Sequence, residues 1–324
     1  MNAREGGRGV LAALDIGGTK IEVALGTEQG EVLAQQRFAT DLSAAPADIL
    51  GRALETLERL TNEVGQGPAA ALGVACPGPF LQPAGRFLDV PNMPTWTGFE
   101  LLEWLNAALE IPVTTMNDAN AGVVAETRWG AAQGANTAVF LTMSTGMGAG
   151  LWLGGRLFEG PAGFAGEVGH LRLAPDGPQG FGKSGSVEGY LSGPGMVQVA
   201  QAELTQQRQQ GVSSSLDGLA ITPEVLCQAA SEGDSVACAS VAYCAQRLGE
   251  LCALLVDLLN PEVIVLGTIG SAHPELFIPG ALEVVQEEAL AMSREQVEIV
   301  PSALENRAAL SALAVACHAQ EGHV

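Results

Sequence analysis

Cationic side chains are scarce in this chain: 15 Lys and Arg face 36 Asp and Glu, a formal net charge of −21. A field of that sign repels nucleic acid and anionic membranes, so neither is expected as a partner. It repels polyphosphates as well, so a nucleotide site needs backbone N–H groups and a divalent cation to compensate. Charged residues make up only 16 % of the chain and hydrophobic residues 47 %, which excludes disorder and fits a well-buried globular protein. Cysteine occurs six times, at 76, 227, 238, 244, 252 and 317, without a C-x-x-C pair. That pattern points to reduced, mostly buried thiols and a cytoplasmic protein. The most apolar helical stretch, Leu248–Leu259, is too short for a bilayer and is interrupted by Asp257. The N-terminal MNAREGGRGV lacks the apolar core of a secretory signal.

What is present reads as two α/β lobes, since 324 residues exceed one ordinary core. GVLAALDI, KIEVALGT and EVLAQQRF form a three-strand meander, with KIEVALGT alternating in polarity. A helix spans Pro46–Val64, LGVACPG is a buried strand, and Phe99–Leu109 is amphipathic. IPVTTMNDAN runs from a strand into a polar turn, with Asn120 expected to cap the next helix. TAVFLTM, STGMG and AGLWLGG then repeat the strand–glycine turn–strand pattern, with RLFEG opening a third strand. Helices follow at Pro223–Ser231, Ser235–Leu259 and Leu276–Met292, separated by the strand of PEVIVLGTIG. EIVPSAL is a last strand, and a helix from Asn306 to Gln320 ends the pattern, with Asn306 as N-cap. Without a low-complexity linker, the lobes are expected to share a tight hinge.

Four constellations carry chemistry. In Asp15-Ile16-Gly17-Gly18-Thr19-Lys20 the glycines let backbone approach a phosphate, Thr19 offers a hydroxyl, and Lys20 a charge. Asp15, at a strand end, suits a hydrated Mg²⁺. Ser144-Thr145-Gly146-Met147-Gly148-Ala149-Gly150 contains G-x-G-x-G, but the next segment reads as a strand. A dinucleotide-binding loop opens a helix instead, so a phosphate-cradling hairpin is preferred to NAD binding. Asp118, in Asn117-Asp118-Ala119-Asn120, is a strand-end carboxylate suited to take a proton from an acceptor hydroxyl. Glu167, His170 and Glu188 supply hydrogen-bonding groups for a polyhydroxylated ligand. Each segment alone also reads as an ordinary turn or cap.

Taken in order, LDIGGTK, GVACPGPF, VPNMPTW, MNDANAG, TMSTGMGAG, FAGEVGHL, SVEGYLSGPG and PEVIVLG resemble the ROK family of bacterial sugar kinases and sugar-responsive repressors. The resemblance implies an actin-like ATPase (ribonuclease H-like) fold, two α/β lobes that close on ATP and sugar, each opening with a β-meander. It implies residues 1–117 plus 305–324 for the small lobe and 118–304 for the large one. It makes Asp118 the base and places Gly78, Asn92, Asn117, Glu167, His170 and Glu188 around the sugar. It places Asp15, Gly17, Gly18, Thr19 and Lys20 by the phosphates and Mg²⁺, Thr145 and Gly146 as an opposing clamp, and Gly267 by the adenosine. It further implies a homodimer or homotetramer.

Three departures stand out. Family members carry a zinc site of His followed by C-x-C-G-x-x-G-C, whereas residues 180–186 here read GFGKSGS, so no zinc is expected. The adenosine segment has Gly267-Thr268 where a glycine pair is usual, and Ser144 stands where glycine is usual. The repressor branch needs a helix-turn-helix before the first lobe, and only about ten residues precede Val10, too few for one. The expected activity is transfer of the ATP γ-phosphate to a hexose hydroxyl, with the 6-OH of glucose first. Fructose, mannose, N-acetylglucosamine or N-acetylmannosamine are alternatives, as is an inactive sugar-binding regulator.

Overall fold

The computed structural model describes residues 9–82, 84–90 and 92–321. β1 (Leu11–Ile16), β2 (Lys20–Gly26) and β3 (Val32–Ala39) form the first meander, and α1 (Pro46–Val64) follows at its expected bounds. Pro46 opens α1 and Gly65, at φ +69°, closes it. Next come β4 (Leu72–Cys76), the hairpin β5 (Phe80–Leu81) and β6 (Arg86–Phe87), α2 (Leu101–Ala108), β7 (Val113–Asn117) and α3 (Asp118–Trp129). The second half begins with β8 (Thr137–Met143) and β9 (Met147–Leu153), then the small hairpin β10 (Gln179–Gly180) and β11 (Lys183–Ser184). Helices α4 (Val187–Leu191), α5 (Gly193–Gln209), α6 (Pro223–Ser231) and α7 (Ser235–Leu259) follow. β12 (Val263–Leu266), α8 (Thr268–Ala272), α9 (Pro274–Glu288), α10 (Ala291–Arg294), β13 (Glu298–Pro301) and α11 (Arg307–Gln320) complete the chain.

Several local expectations are corrected. The strand at RLFEG is reduced to a single bridge between Trp152 and Leu157, because Gly154 and Gly155 both turn the chain with positive φ. The helix placed at Leu276–Met292 is two helices, broken where Ala289 becomes extended. PEVIVLGTIG is a strand only as far as Leu266, and its end forms the short helix α8. Asn306 precedes α11 but makes no side-chain capping bond. The cap of α3 is Asn117, whose side chain accepts from Asn120 N, while Asn120 itself lies buried inside the helix.

Unit 1 comprises the described residues up to Gln133, Glu159–Ala165 and the described residues from Leu304. Its sheet runs β3-β2-β1-β4-β7, with β1, β4 and β7 parallel and β2 antiparallel to both neighbours. α1 packs on one face through Ile49, Leu50, Ala53 and Leu57, and α11 lies on the other beside α3. Gly73 permits that approach: a Cβ there would stand 2.1 Å from the Ala312 carbonyl oxygen. Both faces of β2 are therefore covered, and the alternation of KIEVALGT does not leave one face wet; Glu22 is buried. The unit's edge falls at 133/134 instead of the expected 117/118, because α3 packs against α11 and stays with this sheet. Edge-to-face rings of Phe80, Phe87, Trp96 and Phe99, 5.0–5.9 Å between centroids, anchor the segment that carries Asn92.

Unit 2 comprises Gly134–Phe158 and Gly166–Ala303. Its sheet runs β13-β12-β8-β9, with β12 parallel to β8 and β13, and β9 antiparallel to β8. α7 is capped by Asp234 and ended by Asn260 at φ +45°. It is longer than the apolar stretch read from the sequence. Among the described residues it is the one helix long and apolar enough to cross a membrane. Here α7 packs against α4, α5, α6 and α9, burying Cys244, Leu248, Leu251, Cys252 and Leu255. Five of the six cysteines are buried and none forms a disulfide; Cys238 is exposed.

Candidate active site

In unit 1 the parallel strands β1, β4 and β7 end at one edge of the sheet, where α/β proteins commonly bind ligands. Asp15 sits near the end of β1, level with Ala75, which in turn is level with Met116. Asp118 begins α3 directly after β7, at the positive end of the helix. Its Oδ1 accepts from Ala119 N at 2.8 Å. Gly78 follows β4 at the same edge. The β1–β2 turn is tight: Gly17 N donates to Lys20 O at 3.0 Å, and a Cβ at Gly17 would meet that oxygen at 2.9 Å. Thr40 braces it from β3's end, donating to Gly17 O at 2.7 Å. Gly18 faces Asn92, whose carbonyl oxygen would lie 3.7 Å from a Cβ there. Thr19 and Lys20 are exposed.

The electrostatics of this edge are unusual. Burial pushes the Asp15 carboxyl up to about 7, and the charges of Asp118 and Glu22 add to that; Lys20 and Arg307 oppose it. Glu22 lies opposite Asp15 on β2 and is held by a two-pronged ion pair with Arg37 on β3. Arg307, at the first position of α11, lies in the field of Glu126, Asp15 and Asp118. Burial still lowers its guanidinium below the ordinary value. Asn120 donates to Glu159 Oε1 at 3.2 Å, and burial raises that carboxyl. Sequence reasoning missed Glu22, Arg37 and Arg307. Glu22 and Arg37 are opposed only through strand register, and Arg307 reads locally as an ordinary helix-start residue.

In unit 2 the β8–β9 turn carries Ser144, Thr145 and Gly146. Ser144 N donates to Gly146 O at 3.1 Å, and Ser144 O accepts from Gly193 N at 2.7 Å, at the start of α5. Thr145 is exposed. Met147 N donates to Glu188 Oε2 at 3.2 Å, so the α4 carboxylate props the turn. Glu167, Val168, Gly169 and His170 fold onto the start of β9: a Cβ at Gly169 would meet Met147 O at 2.3 Å. Glu167 keeps access to solvent, yet its surroundings raise its carboxyl: burial first, offset by His170, with Glu188 adding to the rise. His170 is exposed. Its ring meets Phe181 edge-to-face at 4.9 Å. Gly267 leaves β12 and donates to Leu141 O at 2.8 Å; a Cβ there would meet the Phe140 ring at 2.6 Å. Thr268 follows at φ +35°, a left-handed conformation for a β-branched residue. β9 is a strand, so this glycine turn does not open a helix. Gly193 lies in SVEGYLSGPG, where nothing local marks it as a neighbour of Ser144.

The expected set thus divides by unit. Asp15, Gly17, Gly18, Thr19, Lys20, Gly78, Asn92, Asn117 and Asp118 belong to unit 1. Thr145, Gly146, Glu167, His170, Glu188 and Gly267 belong to unit 2. Among the described residues no three His, Cys, Asp or Glu side chains gather into a metal cage; Mg²⁺ is commonly held by one or two carboxylates and the substrate's own phosphates, and Asp15 suits that use.

A model of the ROK family matches residues 11–319. A xylose repressor of Caldicellulosiruptor bescii is 28 % identical over 303 residues, 93 % of this chain and 76 % of that protein. A glucokinase of Streptomyces coelicolor is 31 % identical over 265 residues, 80 % of this chain and 81 % of that protein. The crystal structure of a ROK family glucokinase from Streptomyces griseus with glucose and AMPPNP superposes with a TM-score of 0.77. It is 28 % identical and covers 94 % of this chain and 98 % of that one.

Proposed function

This chain belongs to the ROK family, and from that premise we propose that it is an ATP-dependent hexose kinase with the 6-OH of glucose as its first acceptor. One observation carries the reading: Asp15 and Asp118, distant in sequence, share one electrostatic neighbourhood at the carboxyl edge of the unit 1 sheet. In this reading Asp118 takes the proton of the sugar hydroxyl as its oxygen attacks the γ-phosphorus and the bond to the ADP oxygen breaks. Asn117, Asn92, Gly78, Glu167, His170 and Glu188 orient the sugar. Thr19, Lys20, Thr145, Gly146 and the backbone N–H groups of both glycine turns receive phosphate oxygens, and Gly267 lies by the adenosine. Asp15 would hold Mg²⁺, which when bound neutralises phosphate charge. The glucokinase relatives and the glucose–AMPPNP complex support sugar and nucleotide as the two substrates. With no thiolate in residues 180–186, the same reading takes the protein as zinc-free, which elemental analysis checks.

A coupled ADP-release assay over glucose, mannose, fructose and the N-acetylhexosamines tests the proposal. Turnover with glucose is expected, and Asp118→Asn is expected to lower kcat roughly 10²–10⁴-fold while melting normally. Near-wild-type turnover in that variant would remove the base assignment. The xylose-repressor relative motivates a second reading, a sugar-binding regulator. Sugar binding without ADP release on the whole panel would establish it and overturn the kinase.

A further inference from the structure

The hairpin β10–β11 carries a side chain that its turn does not ask for. Gln179 pairs with Ser184 and Gly180 with Lys183, leaving Phe181 and Gly182 as a two-residue connection. Both have positive φ, +48° and +72°. Such a turn favours Asn, Asp or Gly at its first position, because a Cβ is strained there. Burial does not compensate, since Phe181 is 48 % exposed.

What the ring meets is His170, edge-to-face at 72°. The same hairpin holds the backbone of that residue: Lys183 Nζ donates to His170 O at 2.7 Å. The hairpin is itself seated against α4. A Cβ at Gly180 would meet Gly189 N at 2.5 Å and the Glu188 carbonyl carbon at 2.7 Å. One short hairpin, pressed on the helix that carries Glu188, therefore touches His170 by main chain and by ring. A local rule broken without a packing gain points to function.

We propose that Phe181 is a positioning residue of the sugar site: its ring holds the His170 imidazole in the orientation that meets the sugar hydroxyls. The proposal rests on the sugar-kinase reading. An edge contact restricts the imidazole without using its nitrogens, so both remain available to hydroxyl groups.

The test uses the full chain as wild type, Phe181→Asn and Phe181→Tyr. Asparagine suits the turn, so the first variant is expected to melt at or above the wild-type temperature. With histidine-labelled protein, the His170 ring protons are expected to show a ring-current shift that Phe181→Asn abolishes and Phe181→Tyr keeps. The KM for the sugar best used by the wild type is expected to rise about two- to tenfold in Phe181→Asn. Its kcat is expected to stay within about twofold, and Phe181→Tyr is expected to restore KM. An unchanged KM in Phe181→Asn, a rise that tyrosine does not restore, or unmoved His170 signals would each overturn the proposal. A wild type that phosphorylates no sugar would instead overturn the kinase reading and the sugar role of Phe181 with it. The His170 signals would still decide whether the ring orders the imidazole.

Discussion

The two glycine hairpins share a pattern of strand, turn and antiparallel strand, yet their chemistry is opposite. The β1–β2 hairpin of unit 1 concentrates charge. Asp15 faces Glu22, Glu22 faces Arg37, and Asp118 and Arg307 add to the same field. The β8–β9 hairpin of unit 2 is neutral at its turn, with Ser144, Thr145 and Gly146, and is braced from outside by Glu188 and Gly193. The first is built at a cost in stability, because it holds carboxylates together away from water. The second ties the N–H groups of Ser144, Met147 and Gly148 into hydrogen bonds and needs only that bracing. A glycine turn is thus a geometric device, and its neighbours decide whether it becomes an electrostatic site.

The largest expected effect that would break this contrast is at Arg37. Arg37→Met leaves the Glu22 carboxylate buried without its ion-pair partner. Removing one partner of a buried pair costs about 3–5 kcal/mol, and the partial exposure of Arg37 places this case near the lower end. Chemical denaturation measures it; a loss no greater than that of an ordinary surface substitution would show that Glu22 is not dependent on the pair.

The charge penalty at Asp15 comes next. Its folded carboxyl titrates at about 7 against an ordinary 3.8. The folded state therefore holds a proton that the unfolded chain has lost between those values. Stability from this group is full below about pH 4 and is lost as pH rises to about 7. Asp15→Asn is expected to leave the melting temperature nearly unchanged at pH 4 and to raise it by several degrees at pH 8. Thermal melts across pH, without divalent cations, check this. A variant that is equally stabilised or destabilised at both pH values would contradict the assigned strain. The same substitution is expected to lower turnover, so stability and activity move in opposite directions.

The smallest effect probes a backbone strain of unit 2. Thr268→Gly relieves a left-handed β-branched residue and is expected to stabilise the fold by about 1 kcal/mol. That corresponds to roughly 1–2 °C for a chain of this size, read by calorimetry. If it destabilises instead, the Thr268 side chain earns its place through contacts that outweigh its φ.

Much of the fold was legible because its signals are local. Pro46 and Gly65 bracket α1, Asp234 and Asn260 bracket α7, and apolar runs mark β4, β8 and β12. Local signals failed where a neighbour intervened. Asn120 looked like a cap, but Asn117 took that role one turn earlier and left Asn120 inside the helix. RLFEG looked like a strand, but two left-handed glycines reduced it to one bridge. The alternation in β2 does not say what covers the strand, and α1 and α11 cover both faces.

By itself the sequence determined the two hairpins, most element bounds, the absence of thiolates at residues 180–186, and the residue types available at each turn. These depend on backbone preference and spacing over a few residues. Only the tertiary structure decided that Asp15 meets the field of Asp118, that Glu22 is buried against Arg37, that Arg307 enters from the chain's end, and that Phe181 rests on His170. Those neighbours are set by strand order, register and helix docking between distant segments, and no short-range pattern encodes a contact whose partner lies elsewhere in the chain.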